Sequence, residues 1–423
     1  MIKLHSIKGL VMWYMHRPAR IKSYIARNKR NEERIRQKDT ITVVFFASNV
    51  SMWHYQGLYE EMLKYPRFKP YIVLSPLNAY APEQKVSCVK ALREYFNKKD
   101  INYIDFDTDK MKGYDVKGLL KPDILFYPQP YYTVMCKEHR YYRFKDSLLG
   151  YYPYFFHRTK LPFEYNEDFH NRAWRLYYES EYQKKDAKCL ASIGDLNVRI
   201  VGYPNADFYI NRVSCDNPWK PLPNYYKRVI WAPHFTLDGN GWVNTSNFIW
   251  MAEVMIKIAQ YYSKNIQFAF KPHPRLLSEL YKHHEWGKEK ADAYYSKWQH
   301  MENGQLVDGM YTDLFLSSDA IIHDSGSFGV EYQYTNKPAM FISKDIDHFV
   351  KPLSDFGKKI YDIHYIGKNE DDIKEYLEDV VLNGNDYLAE SRDKFVKQFL
   401  LPPNGKRVAE NTMDDLIMAL AKK

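Results

Sequence analysis

The chain has 423 residues, 45% hydrophobic and 17% aromatic, which suits two ordinary domains with buried cores and not a disordered protein. Its formal charge of +9 resides in residues 1–38, where eleven Lys/Arg face two Glu, while the rest of the chain carries fifty charges of each sign. A charge-neutral body argues against the basic domain face of a nucleic-acid-binding protein, and no nucleic-acid partner is expected.

The four cysteines, Cys88, Cys136, Cys189 and Cys215, are far apart and form no CxxC pair. That spacing argues against structural zinc and against a disulfide framework, and it fits a reducing, cytosolic compartment. No apolar run approaches the roughly 20 residues that span a bilayer. The N-terminus also lacks the apolar stretch and small-residue cleavage site of a signal peptide.

Residues 1–39 open the chain as an amphipathic, basic helical segment. Ile7, Leu10, Val11 and Tyr14 recur at helical spacing with Trp13 and Met15 nearby, Pro18 interrupts, and 20-RIKSYIARNKRNEERIRQK-38 follows. A tryptophan-bearing amphipathic stretch before a polybasic one reads as a segment lying on an anionic membrane surface. A helix packed on the protein body is the alternative.

From Thr40 onward, short apolar runs alternate with helical patterns. Strands are predicted at 41–48, 71–76, 101–106, 123–128 and 198–204, with helices at 55–65 and 82–98. The Pro-rich stretch 216-DNPWKPLPN-224 reads as a linker. A second series follows, with strands at 227–233, 266–272, 320–325 and 338–343 and helices at 245–263, 276–299 and 326–335. Helical patterns at 370–382, 386–399 and 406–421 end the chain. Strand–helix alternation implies parallel sheets with helices on both faces. The fold class is therefore α/β, with two doubly wound Rossmann-like domains facing a cleft. The N-terminal, acceptor-side domain is placed at 40–215 and the C-terminal, donor-binding domain at 216–400. Residues 401–423 form a helix that can pack back on the N-terminal domain.

In such sheets ligands sit outside the carboxyl ends of the strands. After 227–233 come His234, the loop DGNGW and Thr245-Ser246-Asn247. After 266–270 come Lys271-Pro272-His273-Pro274-Arg275, and after Ala320-Ile321-Ile322 come His323-Asp324-Ser325-Gly326-Ser327. The last of these opens a helix, whose unpaired N–H groups and roughly half a positive charge suit phosphate oxygens. Ser325 and Ser327 can cap that helix or bond a phosphate, and Gly326 lets the backbone come close. Glu331, about one turn in, can reach ribose hydroxyls. The KPHPR loop brings Lys271, His273 and Arg275 to the same edge, stiffened by prolines. An ordinary serine cap and a basic surface loop are the plainer readings.

The segments KPHP, WAPHF, GYPNADFY (202–209) and SSDAIIHDSGSFGVEYQYTNKP (317–338) resemble the CDP-glycerol glycerophosphotransferase family of teichoic-acid and capsule polymerases. The resemblance covers roughly 195–345 and implies a GT-B architecture with a nucleotide-binding C-terminal domain. It places Asp324, Ser325 and Ser327 near the nucleotide diphosphate and His273 near the same phosphates. Glu331 and Lys337 also match the motif's frame. Two features depart from the family. The strand end reads Ala232-Pro233-His234-Phe235-Thr236 without the family's arginine. The histidine-bearing WHGTP motif of the N-terminal domain is missing, and 151-YYPYFFHRTK-160 offers His157 in its stead.

The implied reaction transfers glycerol phosphate or ribitol phosphate from a CDP-activated donor to a hydroxyl of a cell-surface polysaccharide or lipid-linked precursor, releasing CMP. His157 and His273 are the candidate catalytic residues, with His170 a lesser candidate base. His234, Ser246, Lys271, Arg275, Asp324, Ser325, Gly326, Ser327 and Glu331 are the candidate substrate-binding residues. No metal and no cofactor beyond the CDP-alditol donor is expected. The implied place is the inner face of the cell membrane, as a peripheral protein on an anionic surface. A GT-B glycosyltransferase using a nucleotide sugar is the alternative, since the same turn would serve it. The Asp105-x-Asp107-x-Asp109 and Asp345-Ile346-Asp347 patterns read as incidental. His283-His284-Glu285 reads as a solvated face and YYPYFF as core.

Overall fold

The computed structural model describes residues 17–131, 134–210, 217–224, 226–237, 246–309 and 311–422. The apolar repeat at 7–15, the DGNGW loop and Thr245 lie outside the described residues. The chain forms two compact units: residues up to Asp207 together with the segment from Pro402 onward, and Phe208–Leu401.

Unit 1 is built on six parallel strands: β1 (Ile41–Ala47), β2 (Phe68–Leu74), β3 (Ile124–Tyr127), β4 (Leu148–Tyr151), β5 (Arg175–Tyr178) and β6 (Val198–Ile200). Their spatial order is β2-β1-β3-β4-β5-β6, so the chain reverses direction across the sheet between β1 and β3. The run ITVVFFA of β1 is almost wholly buried, as a parallel strand covered on both faces must be. Phe45 of β1 pairs in register with Phe126 of β3, and their rings stack at 4.9 Å. Gly150 of β4 lies beneath that stack, where a Cβ would come within 2.5 Å of the Phe126 ring.

Helix α1 (Arg17–Arg36) docks on this unit. Tyr24 donates to Asp168 at 3.0 Å, Asn28 to the Arg172 carbonyl at 3.0 Å, and Asn31 to the Lys145 carbonyl at 3.0 Å. Trp174 donates to Glu32 at 2.7 Å, and Arg34 and Lys38 pair with the buried Asp123. Much of the basic stretch is thus a packed helix, the alternative named above. Lys22, Ile25, Lys29 and Arg30 stay exposed.

The C-terminal helix Val408–Ala419 belongs to the same unit. Asp207 caps it by accepting from the Val408 and Ala409 N–H groups at 2.7 and 3.1 Å. From the helix, Asp415 accepts from Arg175 (2.8 Å), Tyr177 (2.9 Å) and Arg199 (3.2 Å), fastening it to β5 and β6.

Unit 2 holds β7 (Lys227–Ala232), β8 (Ile266–Phe270), β9 (Gly304–Leu306), β10 (Ala320–His323), β11 (Ala339–Ile342) and β12 (Tyr365–Gly367). All are parallel, in the order β12-β11-β10-β7-β8-β9, with the reversal between β7 and β10. Trp231 of β7 anchors the core, stacked on Phe270 at 4.9 Å and packed on Phe248 and Trp298. Both sheets and their helices form the α/β, GT-B-like architecture expected from the sequence.

Four strands escape the sequence reading. They are β4, β5, β9 and β12, each three or four residues long. Conversely, 101–106 is no strand. Only Ile104 bridges to Val73, and the acidic residues beyond it turn outward, Asp105 to Arg93 and Asp107 to Lys110. The predicted helix 276–299 divides at His283–Trp286 because Gly287 takes a positive φ of 68°. The stretch 217–220 is not a free linker. Trp219 is buried and donates to Ser317, while Gln267 and Gln305 bond the backbone of Lys220 and Pro218.

Candidate active site

The reversal between β7 and β10 sets the carboxyl ends of those two strands side by side, with β8 next to β7. In a doubly wound sheet this edge is where ligands bind. Asp324, the first residue past β10, is buried and makes the central connection. It accepts from the His234 N–H at 2.6 Å and from the Asn247 N–H at 2.5 Å, holding the loop after β7 in place. Burial pushes the Asp324 carboxyl up to about 7, against the two N–H bonds that favour its ionised form.

Ser246 completes the clamp. Its hydroxyl donates to the His234 carbonyl at 2.8 Å and accepts from the Phe248 N–H, starting helix α2 (Phe248–Tyr261). Asn247, which the sequence reading passed over, also ties α2 to β11 through the Ile342 carbonyl at 3.0 Å. No pattern in the chain marks Asn247, because its partners lie 77 and 95 residues away.

The KPHPR loop follows β8. The Lys271 and His273 N–H groups bond the Trp231 and Pro233 carbonyls at 2.8 and 3.0 Å, so this loop runs against the end of β7. The His273 and His234 rings stand 5.1 Å apart. His273 accepts from the Arg275 N–H on Nδ1 at 3.1 Å, which leaves the neutral ring's proton on Nε2 as a donor. Its value is driven down to about 3, first by burial and then by His234, Arg275 and Lys271. The nearby charges of Lys271 and Arg275 add a positive contribution there, which suits an anion.

Lys271 is only 3% exposed. Among the described residues its ammonium has no hydrogen-bond or ion-pair partner, and burial lowers its proton affinity, with Asp308 pulling weakly the other way. A buried cation without a partner is costly unless a ligand supplies the counter-charge. Arg275 is exposed. It lies 4.1 Å over the Phe235 ring and pairs with Glu279, beside a cavity of about 450 Å³ lined also by Lys282, His283 and His284. His284 and Glu285 are exposed, the solvated face that the sequence suggested, and His283 and His284 also border this cavity.

Past Asp324, helix α3 (Gly326–Glu331) begins with Ser325 at its N-cap position, and Ser325 makes no side-chain cap bond. Neither the Ser325 nor the Ser327 hydroxyl has a hydrogen-bond partner among the described residues. Glu331 is placed differently from the ribose contact expected of it. It is 1% exposed, and its two oxygens accept from Tyr209 at 3.1 Å and Tyr311 at 2.9 Å. Both oxygens are thus already engaged inside the unit. The carboxylate instead satisfies two buried hydroxyls.

The candidate base in unit 1 is also corrected. His157 is 1% exposed, with Nδ1 3.1 Å from Glu179 and its ring packed on Phe155, Tyr165 and Tyr178. Burial alone would lower its value, but Glu179 outweighs burial and holds it above the ordinary histidine range. The ring is enclosed and paired with Glu179, out of reach of an incoming hydroxyl. His170 is fully buried as well. Its Nδ1 accepts from the Glu167 N–H, and burial drives it to about 3. Among the described residues no group of three or more His, Cys, Asp or Glu is arranged to hold a metal ion, and no helix is long and apolar enough to cross a membrane.

A sequence profile of the CDP-Glycerol:Poly(glycerophosphate) glycerophosphotransferases matches residues 174–416, more than half of the chain and all of the strand-end residues of unit 2. The chain belongs to this family. It is therefore a CDP-glycerol glycerophosphotransferase-like enzyme, a transferase. No curated protein sequence matches it. Among solved structures, wall teichoic acid polymerase TagF is 14% identical with a TM-score of 0.57, covering 99% of this chain and 98% of that one. TagF soaked with CDPG gives 13% and 0.55 over the same spans. A chain described as a UDP-N-acetylglucosamine 2-epimerase from Listeria monocytogenes is 15% identical with a TM-score of 0.61, covering 91% and 98%. At these identities the structural likeness speaks for the fold alone.

Proposed function

We propose that this glycerophosphotransferase-family enzyme moves glycerol phosphate or ribitol phosphate from a CDP-activated donor to a hydroxyl of a cell-surface polysaccharide or lipid-linked precursor. The acceptor hydroxyl oxygen attacks phosphorus in line, the phosphoanhydride bond breaks, CMP leaves with the bridging oxygen, and the hydroxyl proton passes to solvent. Such a transfer is catalysed by positioning and charge stabilisation. The observation that carries this reading is the buried residue Lys271, whose ammonium has no partner among the described residues, on one loop with the Nε2–H donor of His273. In the proposed complex these two groups and the hydroxyls of Ser325 and Ser327 hold the diphosphate. Asp324 and Ser246 position the His234 loop. Arg275 over Phe235 borders the cavity, whose size suits an organic ligand. The reaction as written draws on no metal or further cofactor.

The test is a thermal-shift panel of CDP-glycerol, CDP-ribitol, CMP-sugars and UDP-sugars, since a ligand of the native state raises its stability by mass action. A CDP-alditol is expected to give the largest shift. Ser325→Ala with Ser327→Ala should weaken its binding about tenfold, on the order of 1.4 kcal/mol. Response to a UDP- or CMP-sugar alone would sink the proposal in favour of a glycosyltransferase.

The proposed place of work is an anionic membrane surface on the cytoplasmic side. Its support is the outward set Lys22, Lys29 and Arg30 on α1, with Ile25 41% exposed among them. At about 1 kcal/mol per basic residue, reversing all three to Glu should weaken binding to phosphatidylglycerol vesicles at least 100-fold. Equal binding of parent and variant would remove this assignment.

A further inference from the structure

The candidate active site lies past the carboxyl ends of β7, β8 and β10. At the opposite end of those strands, where they begin, unit 2 has a second cavity, of about 470 Å³. Lys220, Arg228, Gln267, Asp319 and Lys337 are among the residues that line it, and it shares none with the cavity beside Arg275. Arg228 of β7 and Gln267 of β8 are partners in register. Parallel neighbours stand about 5 Å apart and send their side chains to one face, so both can reach one small ligand.

Both side chains have bonding capacity to spare. The half-buried Arg228 guanidinium lies 5.5 Å over the Trp219 ring and has no hydrogen-bond or ion-pair partner among the described residues. Gln267 is 2% exposed. Its carboxamide nitrogen donates to the Lys220 carbonyl at 2.9 Å, which fixes the amide and leaves its oxygen as an acceptor with no partner among the described residues. Native proteins pair nearly all such groups. This oxygen is not one of the unpaired polar atoms sealed from solvent, so a molecule in the cavity can meet it.

Charge narrows what that molecule is. Three cations, Lys220, Arg228 and Lys337, line the cavity with one carboxylate, Asp319. Asp319 is itself engaged, by Lys227 at 3.6 Å and by the Arg228 N–H at 2.8 Å. Lys337 donates to the Leu316 carbonyl at 2.6 Å and Lys220 to the Met301 carbonyl. A carbonyl satisfies a donor without cancelling its charge, so the lining stays net positive and favours an anion. The planar fork of Arg228 fits phosphate oxygens, and the Gln267 acceptor needs an O–H beside them.

We propose that this cavity is a second ligand site, for a polyol phosphate. Arg228 holds the phosphate and Gln267 accepts from a hydroxyl of the same molecule. The site goes beyond the proposed transfer and does not depend on it, since it rests on a different cavity and on none of the donor-binding residues. A repeat of a poly(alditol phosphate) chain and a free alditol phosphate present the same group.

The test is calorimetric titration of the full chain with sn-glycerol 3-phosphate, glycerol, inorganic phosphate and tetra(glycerol phosphate), each repeated with CDP-glycerol at saturation. Glycerol 3-phosphate is expected to bind at least tenfold tighter than glycerol or inorganic phosphate, and CDP-glycerol should not displace it. Arg228→Met and Gln267→Leu should each weaken it at least tenfold and leave CDP-glycerol binding within twofold. Gln267→Leu also gives up the bond to Lys220, whereas Arg228→Met breaks no side-chain hydrogen bond and should melt with the parent. Arg228→Lys, which keeps the charge without the fork, should retain part of the affinity. Glycerol 3-phosphate affinity within twofold of the parent in Arg228→Met overturns the site, as does the lack of saturable binding by either glycerol phosphate. Displacement by CDP-glycerol overturns it too, by placing the phosphate at Lys271. Equal affinity for inorganic phosphate and glycerol 3-phosphate leaves an adventitious ion only. With the site upheld, tetra(glycerol phosphate) binding at least tenfold tighter than the monomer identifies a chain as the ligand, and equal binding identifies the free alditol phosphate. A parent that binds glycerol 3-phosphate through Arg228 but no CDP-alditol sinks the donor reading and keeps this site.

Discussion

Lys271→Met is expected to make the protein more stable and nearly inactive. The two effects have one origin. In the free enzyme Lys271 as a residue is 3% exposed, its ammonium lacks a partner among the described residues, and burial lowers its proton affinity. Methionine fills similar space without a charge to desolvate, so stability should rise by on the order of 1–3 kcal/mol. With a diphosphate bound, the same charge meets its counter-ion in a site of low polarity. Losing a charge-assisted contact of that kind costs about 10²–10³ in kcat/KM, or ~3–4 kcal/mol. Melting curves and initial rates of CMP release with CDP-glycerol check both halves. A variant that melts lower and turns over normally would show that Lys271 is a structural side chain and would remove the main support for the donor site.

Acid should destabilise the protein steeply below neutrality. His54, His139 and His364 are pushed down to about 4, and His170 and His273 to about 3, in each case first by burial. An unfolded histidine titrates near 6.5. Between these values the unfolded chain binds protons that the folded chain refuses. Their contribution to stability is therefore complete above pH 6.5 and is lost as pH falls toward 4 and then 3.

Asp324 works in the opposite sense. Raised by burial to about 7, it holds a proton in the folded state that the unfolded chain releases, so its contribution favours folding at low pH. Glu164, Glu167 and Asp207, raised mainly by burial, add to it, and so does His157, raised by Glu179 against burial. Five histidines with large downward shifts oppose this group at pH 5–6.5 and outweigh it. The net loss from pH 6.5 to 5 should be on the order of 3–5 kcal/mol, a large share of a typical stability of about 5–15 kcal/mol. Urea midpoints at pH 7, 6 and 5 measure it. A flat profile would mean that these rings become protonated in the folded state. Donor binding should resist the trend at His273, because a bound diphosphate favours its imidazolium.

Much of unit 2 is legible in the chain itself. The runs at 227–233, 266–272, 320–325 and 338–343 correspond to β7, β8, β10 and β11. Each is a buried parallel strand whose apolar residues stop where the polar loop begins, so the strand end and the loop can be read together. That is why KPHPR and HDSGSFGVEY point to one edge. The first half of the chain is harder to read. The short strands β4 and β5 carry no period of their own, and the aromatic stretch after β4 resembles a site as much as it resembles core.

The sequence by itself determined the alternating α/β architecture, the family, and the identity of the loops that follow the key strands, because those depend on local hydrophobic pattern and on side chains near one another in the chain. Only the tertiary structure decided what the polar groups do. Glu331 meets Tyr209 across 122 residues, Asp324 meets His234 across 90, and Asp415 of the C-terminal helix meets Arg175 and Tyr177 across 240 and 238. A carboxylate's role follows from its burial and its partners, and both are set by strand order and packing. By that measure Lys271 and His273 form a positive, ligand-ready edge, while His157 and Glu331 are taken up by the interior.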